Sequence, residues 1–157
     1  MAKSQAPLNI TVLSGGPDAE AMISRKSAAA ISNALRTAGH HVHELDLPTD
    51  DPSSPLRQIP QDHVVFPALH GPWGEGGGAQ SQLVELGLPF VGFGPAAAIV
   101  AMDKHQTRVL ASEHGVAIAT GSVVHPGSPP PCPAPCVLKP LDEGSSVGLT
   151  LLHTEDE

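Results

Sequence analysis

Leu8-Asn-Ile-Thr-Val-Leu13 runs directly into Ser14-Gly-Gly-Pro17. A short β-branched apolar run of this kind reads as a buried strand. The Gly-Gly turn that ends it lets backbone come close to a ligand. From Asp18 to Ala38, Ile23, Ser27, Ile31 and Leu35 recur every four residues, which predicts a helix with one packed face. Asp18 is the expected N-cap and Gly39 the expected stop. His40 to Leu45 reads as a second strand and His63 to Ala68 as a third. Alternation of strand and helix argues for a parallel sheet with helices on its faces.

Working outward, residues 46–61 hold four prolines and read as a loop with a short helical turn. The third strand opens into Leu69-His-Gly-Pro-Trp-Gly-Glu-Gly-Gly-Gly78. Ala79 to Leu86 predicts a short helix, and Phe90-Val-Gly92 a very short fourth strand. Helices are expected over Pro95–Met102 and Asp103–His114, the second closed by Gly115. The style then changes. Ala119 to His125 is strand-like, residues 126–135 are mostly proline and read as an extended connector, and Cys136–Lys139 and Val147–His153 read as strands joined by a turn. A boundary near 115–118 therefore separates an α/β domain, 1–116, from a second segment, 117–157. Thr154-Glu-Asp-Glu157 has the form of a capping box, so the expectation there is a helix start.

Composition narrows the function. The chain has 157 residues, 40% hydrophobic but only 3% aromatic and without tyrosine, so its core must come from Ala, Val, Leu and Ile. A formal net charge of −8 repels phosphate backbones, which argues against nonspecific nucleic-acid binding. No apolar run reaches the roughly 20 residues of a membrane span. MAKSQAPLN carries no hydrophobic stretch, so the expected location is cytoplasmic. Cys132 and Cys136 have no second cysteine pair and are expected as two unpaired thiols. His41 and His43 share a strand face, but no partner has matching spacing, so no metal site is assigned.

Four places carry chemistry. Gly15-Gly16 precedes Glu20 at a helix start, where the carboxylate either meets a ligand ammonium or simply complements the helix dipole. The G-x-G-x-x-G spacing of a dinucleotide fingerprint is missing. His70-Gly71 with Gly74-Glu75 forms a glycine-rich loop of the kind that wraps a ligand, or else a simple turn. Lys104 opens a helix, where a lysine is usually just solvated. Lys139 precedes the Gly144-Ser-Ser146 turn, which offers a point charge, backbone N–H groups and hydroxyls to a phosphate.

Taken together and in this order, these segments resemble the D-alanine–D-alanine ligases of the ATP-grasp superfamily. The likeness is carried by Leu13-Ser-Gly-Gly16 with Ala19-Glu20 and Ile23-Ser24, Val65-Phe-Pro-Ala-Leu-His-Gly71 with Gly74-Glu75 and Gln80, Leu86-Gly-Leu-Pro-Phe-Val-Gly92, Ala101-Met-Asp-Lys104, and Val137-Leu-Lys-Pro140 with Glu143-Gly-Ser-Ser-Val-Gly148. It implies a Rossmann-like, parallel-sheet pre-ATP-grasp domain followed by the first strands of an ATP-grasp central domain. It also implies the reaction: ATP phosphorylates one D-alanine carboxylate, and the amine of a second D-alanine attacks the acyl phosphate, for peptidoglycan synthesis. Carried over by position, Glu20 would hold the first D-alanine's ammonium and His70 would lie near its carboxylate. Ser145 would help position that substrate. Lys104, Lys139 and Ser146 would serve ATP. The Mg2+ ligands of the family are expected downstream, so the 157 residues alone are expected to be inactive. A homodimer through the first domain is also implied.

Three departures stand out. Ala21-Met-Ile-Ser24 replaces the usual Arg-Glu-Val-Ser, Gly74-Glu-Gly-Gly77 replaces Gly-Glu-Asp-Gly, and Asp142 stands where an arginine is common. They keep two alternatives open: a non-catalytic relative serving as a binding or dimerisation module, and an ATP-grasp ligase for another amino acid.

Overall fold

The computed structural model describes residues 6–128, 132–144, 146 and 148–154. The opening run forms strand β1 (Asn9–Gly15), flanked by β2 (His41–Leu47) and β3 (Val64–Pro67). The three strands are parallel in the order β2-β1-β3, with Leu13 level with Leu45 on one side and Pro67 on the other. β1 is central and buried from Ile10 onward because apolar layers cover both sheet faces. Strand alternation sorts its side chains. Ile10 and Val12 join Ala28 and Ala68 in one cluster, while Leu13 joins Leu47, Leu56, Val65, Leu69 and Leu83 in the other.

Helix α1 (Ala21–Thr37) starts later than expected. Its N-cap position is Glu20, whose side chain makes no cap bond, so Asp18 is not the cap of this helix. Its buried face is Ser24, Ala28 and Ser32, with Ile31 and Leu35 partly buried beside them. The expected stripe is thus turned by one position, and Ile23 is exposed. Small side chains line the contact and the larger Ile31 and Leu35 flank it.

A 3-10 turn over Ser54–Gln58 interrupts the proline-rich loop. The glycine-rich loop is not all loop: Gly71–Glu75 forms a one-turn helix, α2, followed by α3 (Gly78–Glu85). Phe90 makes a single parallel bridge to Val65, so the expected fourth strand is reduced to one residue. Helices α4 (Pro95–Met102) and α5 (Lys104–Glu113) lie where the sequence places them. Ala119–His125 pairs with no strand among the described residues. β4 (Cys136–Leu138) and β5 (Thr150–Leu152) form a two-stranded antiparallel sheet. Residues 155–157 of the capping box lie outside the described residues, as do Ser145 and Val147. By packing, the chain divides into two compact units, Met1–Ile99 and Val100–Glu157. Among the described residues no helix is long and apolar enough to cross a membrane.

Candidate functional site

In the first unit the site follows from strand adjacency. β1 and β3 are paired, so the turns after their carboxyl ends are neighbours, which is where open α/β sheets bind ligands. Ser24 joins them. Its hydroxyl donates to the Ala68 carbonyl at 2.7 Å and accepts the Gly15 amide at 3.0 Å, tying both strand ends to α1. Gly15 itself has φ +77°, and a side chain there would meet Asp46 Oδ1 at 2.5 Å and the Leu47 carbonyl at 2.7 Å. That crowding is the reason for glycine at this turn.

Glu20 is 4% exposed. Its Oε2 makes no hydrogen bond within the described residues. A buried carboxylate oxygen without a donor is costly, so it is a place where a cationic or N–H-bearing group would be stabilised.

His70 sits at the N-cap position of α2, its ring held from two sides. Nε2 is 3.1 Å from the Ser27 hydroxyl on α1. Nδ1 is 3.6 Å from Glu75 Oε1, close enough for an ion pair when the ring is protonated. The other Glu75 oxygen accepts the Gly71 amide at 3.2 Å. Asp18 Oδ2 accepts the amides of Trp73 at 3.0 Å and Gly74 at 3.1 Å, so its destination is α2. Gln80 donates to the Gly74 carbonyl at 3.0 Å, closing the loop from the far side.

In the second unit, Asp103 caps α5 by accepting the Gln106 amide at 2.8 Å. That backbone bond, then the Gln106 side-chain amide, hold its carboxyl below the usual range. Lys104 Nζ donates to the carbonyls of Leu141, at 3.1 Å, and Glu143. An ammonium has three donors, so one remains for a ligand. The same two bonds bring Lys104 to the loop that carries Ser146, a non-glycine residue with φ +63°. Lys139, just after β4, is exposed. Ser145 lies outside the described residues. Cys132 and Cys136 are free thiols, and desolvation, then Cys132, push the Cys136 thiol up. Among the described residues no group of three His, Cys, Asp or Glu could hold a metal.

The structure therefore places Glu20 and His70 in one unit and Lys104, Lys139 and Ser146 in the other. The sequence reading missed the roles of Asp18, Ser24 and Ser27. Ser24 and Ser27 did carry a signal, since serines on the packed side of an otherwise apolar helix need partners.

No protein-family model matches the chain. Curated relatives do. The D-alanine–D-alanine ligase of Gluconobacter oxydans is 42% identical over 154 residues, covering 95% of this chain and 50% of the relative. That of Paramagnetospirillum magneticum is 41% identical over 149 residues, covering 92% of this chain and 48% of the relative. The chain is a homologue of the D-alanine–D-alanine ligases. It spans about half the length of the curated relatives it matches. Two solved D-alanine–D-alanine ligases share its fold. That of Helicobacter pylori has a TM-score of 0.81 at 19% identity, over 95% of this chain and 57% of that one. That of Coxiella burnetii has 0.77 at 23% identity, over 97% and 56%.

Proposed function

We propose that this chain carries the first-substrate half of a D-alanine–D-alanine ligase, a cytoplasmic ATP-dependent enzyme joining a carboxylate to an amine. The observation that carries the reading is Glu20, a buried carboxylate with one oxygen unpaired among the described residues, in a chain with ligase relatives at 42% identity. Glu20 takes the ammonium of the first D-alanine. His70, its ring set by Ser27 and Glu75, lies by the carboxylate to be activated. Ser145 helps position the substrate.

The residues present fit a nucleotide phosphate. Lys104 keeps one N–H after its two carbonyl bonds, and Lys139 and Ser146 are exposed beside the same turn. ATP, when bound, supplies the phosphoryl group that activates the first carboxylate. Lys104 and Lys139 balance phosphate charge and hold it in place. Among the described residues no cluster of His, Cys, Asp or Glu offers Mg2+ a ligand set. In functional terms we divide the chain at 116/117, although α5 packs with residues 100–157.

The test is D-alanine binding by calorimetry. Wild type should bind, and E20Q, which removes the charge and keeps the shape, should bind at least about tenfold more weakly, since a charge-assisted bond is lost. Equal affinity would sink the assignment. ATP-dependent dipeptide formation should be measured on the product of the whole reading frame. One feature favours a binding or dimerisation module instead. Met22, where the family has a charged residue, is 69% exposed beside exposed Ile23, which presents an apolar surface.

A further inference from the structure

We propose that Asp18 is a positioning residue, the clamp that holds the His70 loop in register with the turn bearing Glu20. The substrate side of this inference rests on the proposed reading of Glu20. The clamp itself rests on geometry.

Asp18 follows the Gly15-Gly16-Pro17 turn, and its carbonyl accepts the Ala21 amide at 3.1 Å, just before α1. Its carboxylate turns away from α1, whose cap position it does not occupy. Oδ2 instead binds the amides of Trp73 and Gly74, more than fifty residues along the chain. The Trp73 amide lies in the first turn of α2, where a helix has no acceptor of its own, and the Gly74 amide follows it. A five-residue helix containing two glycines has almost no propensity to form alone. An outside acceptor must therefore hold it. The close approach is built in: Gly71 has φ +89°, and a Cβ there would sit 2.5 Å from Asp18 Cβ.

The consequence reaches the site. Once α2 is pinned, Glu75 is placed to accept the Gly71 amide and to stand 3.6 Å from His70 Nδ1. Two residues after Asp18 in the chain is Glu20. One short segment thus carries the buried carboxylate and, through Asp18, places the loop that orients His70. Asp18 touches no reacting atom in this account, and its effect passes through Trp73, Gly74 and Glu75.

Trp73 is the chain's only tryptophan, so its fluorescence reports the clamp directly. The experiment uses the 157-residue chain with D18A, D18N and E20Q, and measures acrylamide quenching of Trp73, amide exchange at Trp73 and Gly74, and D-alanine affinity. D18A should raise quenching, speed exchange of both amides by about tenfold or more and weaken D-alanine binding by about tenfold, as expected for losing a charged acceptor. D18N keeps an acceptor oxygen but loses the charge, so it should fall between D18A and wild type in all three. E20Q should lose D-alanine binding with Trp73 unchanged. Wild-type exchange in D18A, or wild-type D-alanine affinity with a released loop, overturns the proposal. Should D18A not fold, D18N exchange that matches wild type at both amides would overturn the charge-assisted clamp. A wild type that binds no D-alanine sinks the Glu20 reading and the substrate role of Asp18, while amide exchange still decides the clamp.

Discussion

Residues 6–98 hide fourteen apolar side chains from solvent, whereas no described residue after Ala98 is buried. In the first unit a central strand is covered on both faces, so nearly every residue of β1 is removed from water. In the second, β4 and β5 form only a two-stranded sheet, and Val137, Leu138, Leu149 and Leu151 remain 40–55% exposed. A two-stranded sheet gains little from burial and is marginal by itself in water. The difference teaches where a functional geometry can be rigid. Glu20 and His70 are set by a packed core and by hydrogen bonds between elements far apart in sequence. Lys104 is set by two carbonyls of an exposed loop.

Substitutions can break or sharpen this contrast. The largest effect should come from the core. L83A removes a fully buried side chain and should cost about 2–5 kcal/mol in denaturant unfolding. The matching L151A, at a position 55% exposed, should stay within about 0.5 kcal/mol. Equal costs would erase the distinction between the units. Next comes the crowded turn. G71A forces a side chain into a left-handed backbone against Asp18 and should cost about 2–4 kcal/mol, with Trp73 fluorescence shifted. A neutral result would mean that Asp18 and α2 are not held together. The smallest effect should lie at the surface of the first unit. Arg36 and Glu44 are 2.7 Å apart but each is 46% exposed, so a double-mutant cycle should give a coupling of about 0.2–1 kcal/mol. A larger value would show that surface charge, and not only the core, supports this unit.

Much of the fold was legible because its signals are local. β1 and β3 are short apolar runs rich in valine or isoleucine, β2 alternates polar residues with Val42, Leu45 and Leu47, and each prediction fell within about two residues. The α5 helix, expected over Asp103–His114, spans Lys104–Glu113 with Asp103 as its cap, so its place was legible locally although the cap was not assigned. The misses are non-local. Gly71–Glu75 looks like loop because glycine and proline disfavour helix, and the acceptor that compensates lies at Asp18. Ala119–His125 has strand-like composition, but a strand is made by its partner, and no pairing is present among the described residues. The α1 face was misjudged by one position because apolar spacing was counted, while close packing selected Ser24, Ala28 and Ser32.

The candidate site divides in the same way. By itself the sequence determined which residue types stand at each turn: glycines where side chains would collide, an acid after the first strand, a histidine after the third, lysines beside the later turns. It also determined the likeness to the ligases, because that is a property of residue order. Only the tertiary structure decided that Glu20 is buried with one oxygen unpaired among the described residues, that Ser27 and Glu75 flank His70, and that Asp18 serves α2 and not α1. The physical reason is that burial and pairing belong to neighbours in space. β1 and β3 are separated by nearly fifty residues, and their parallel pairing is what makes the two turns meet.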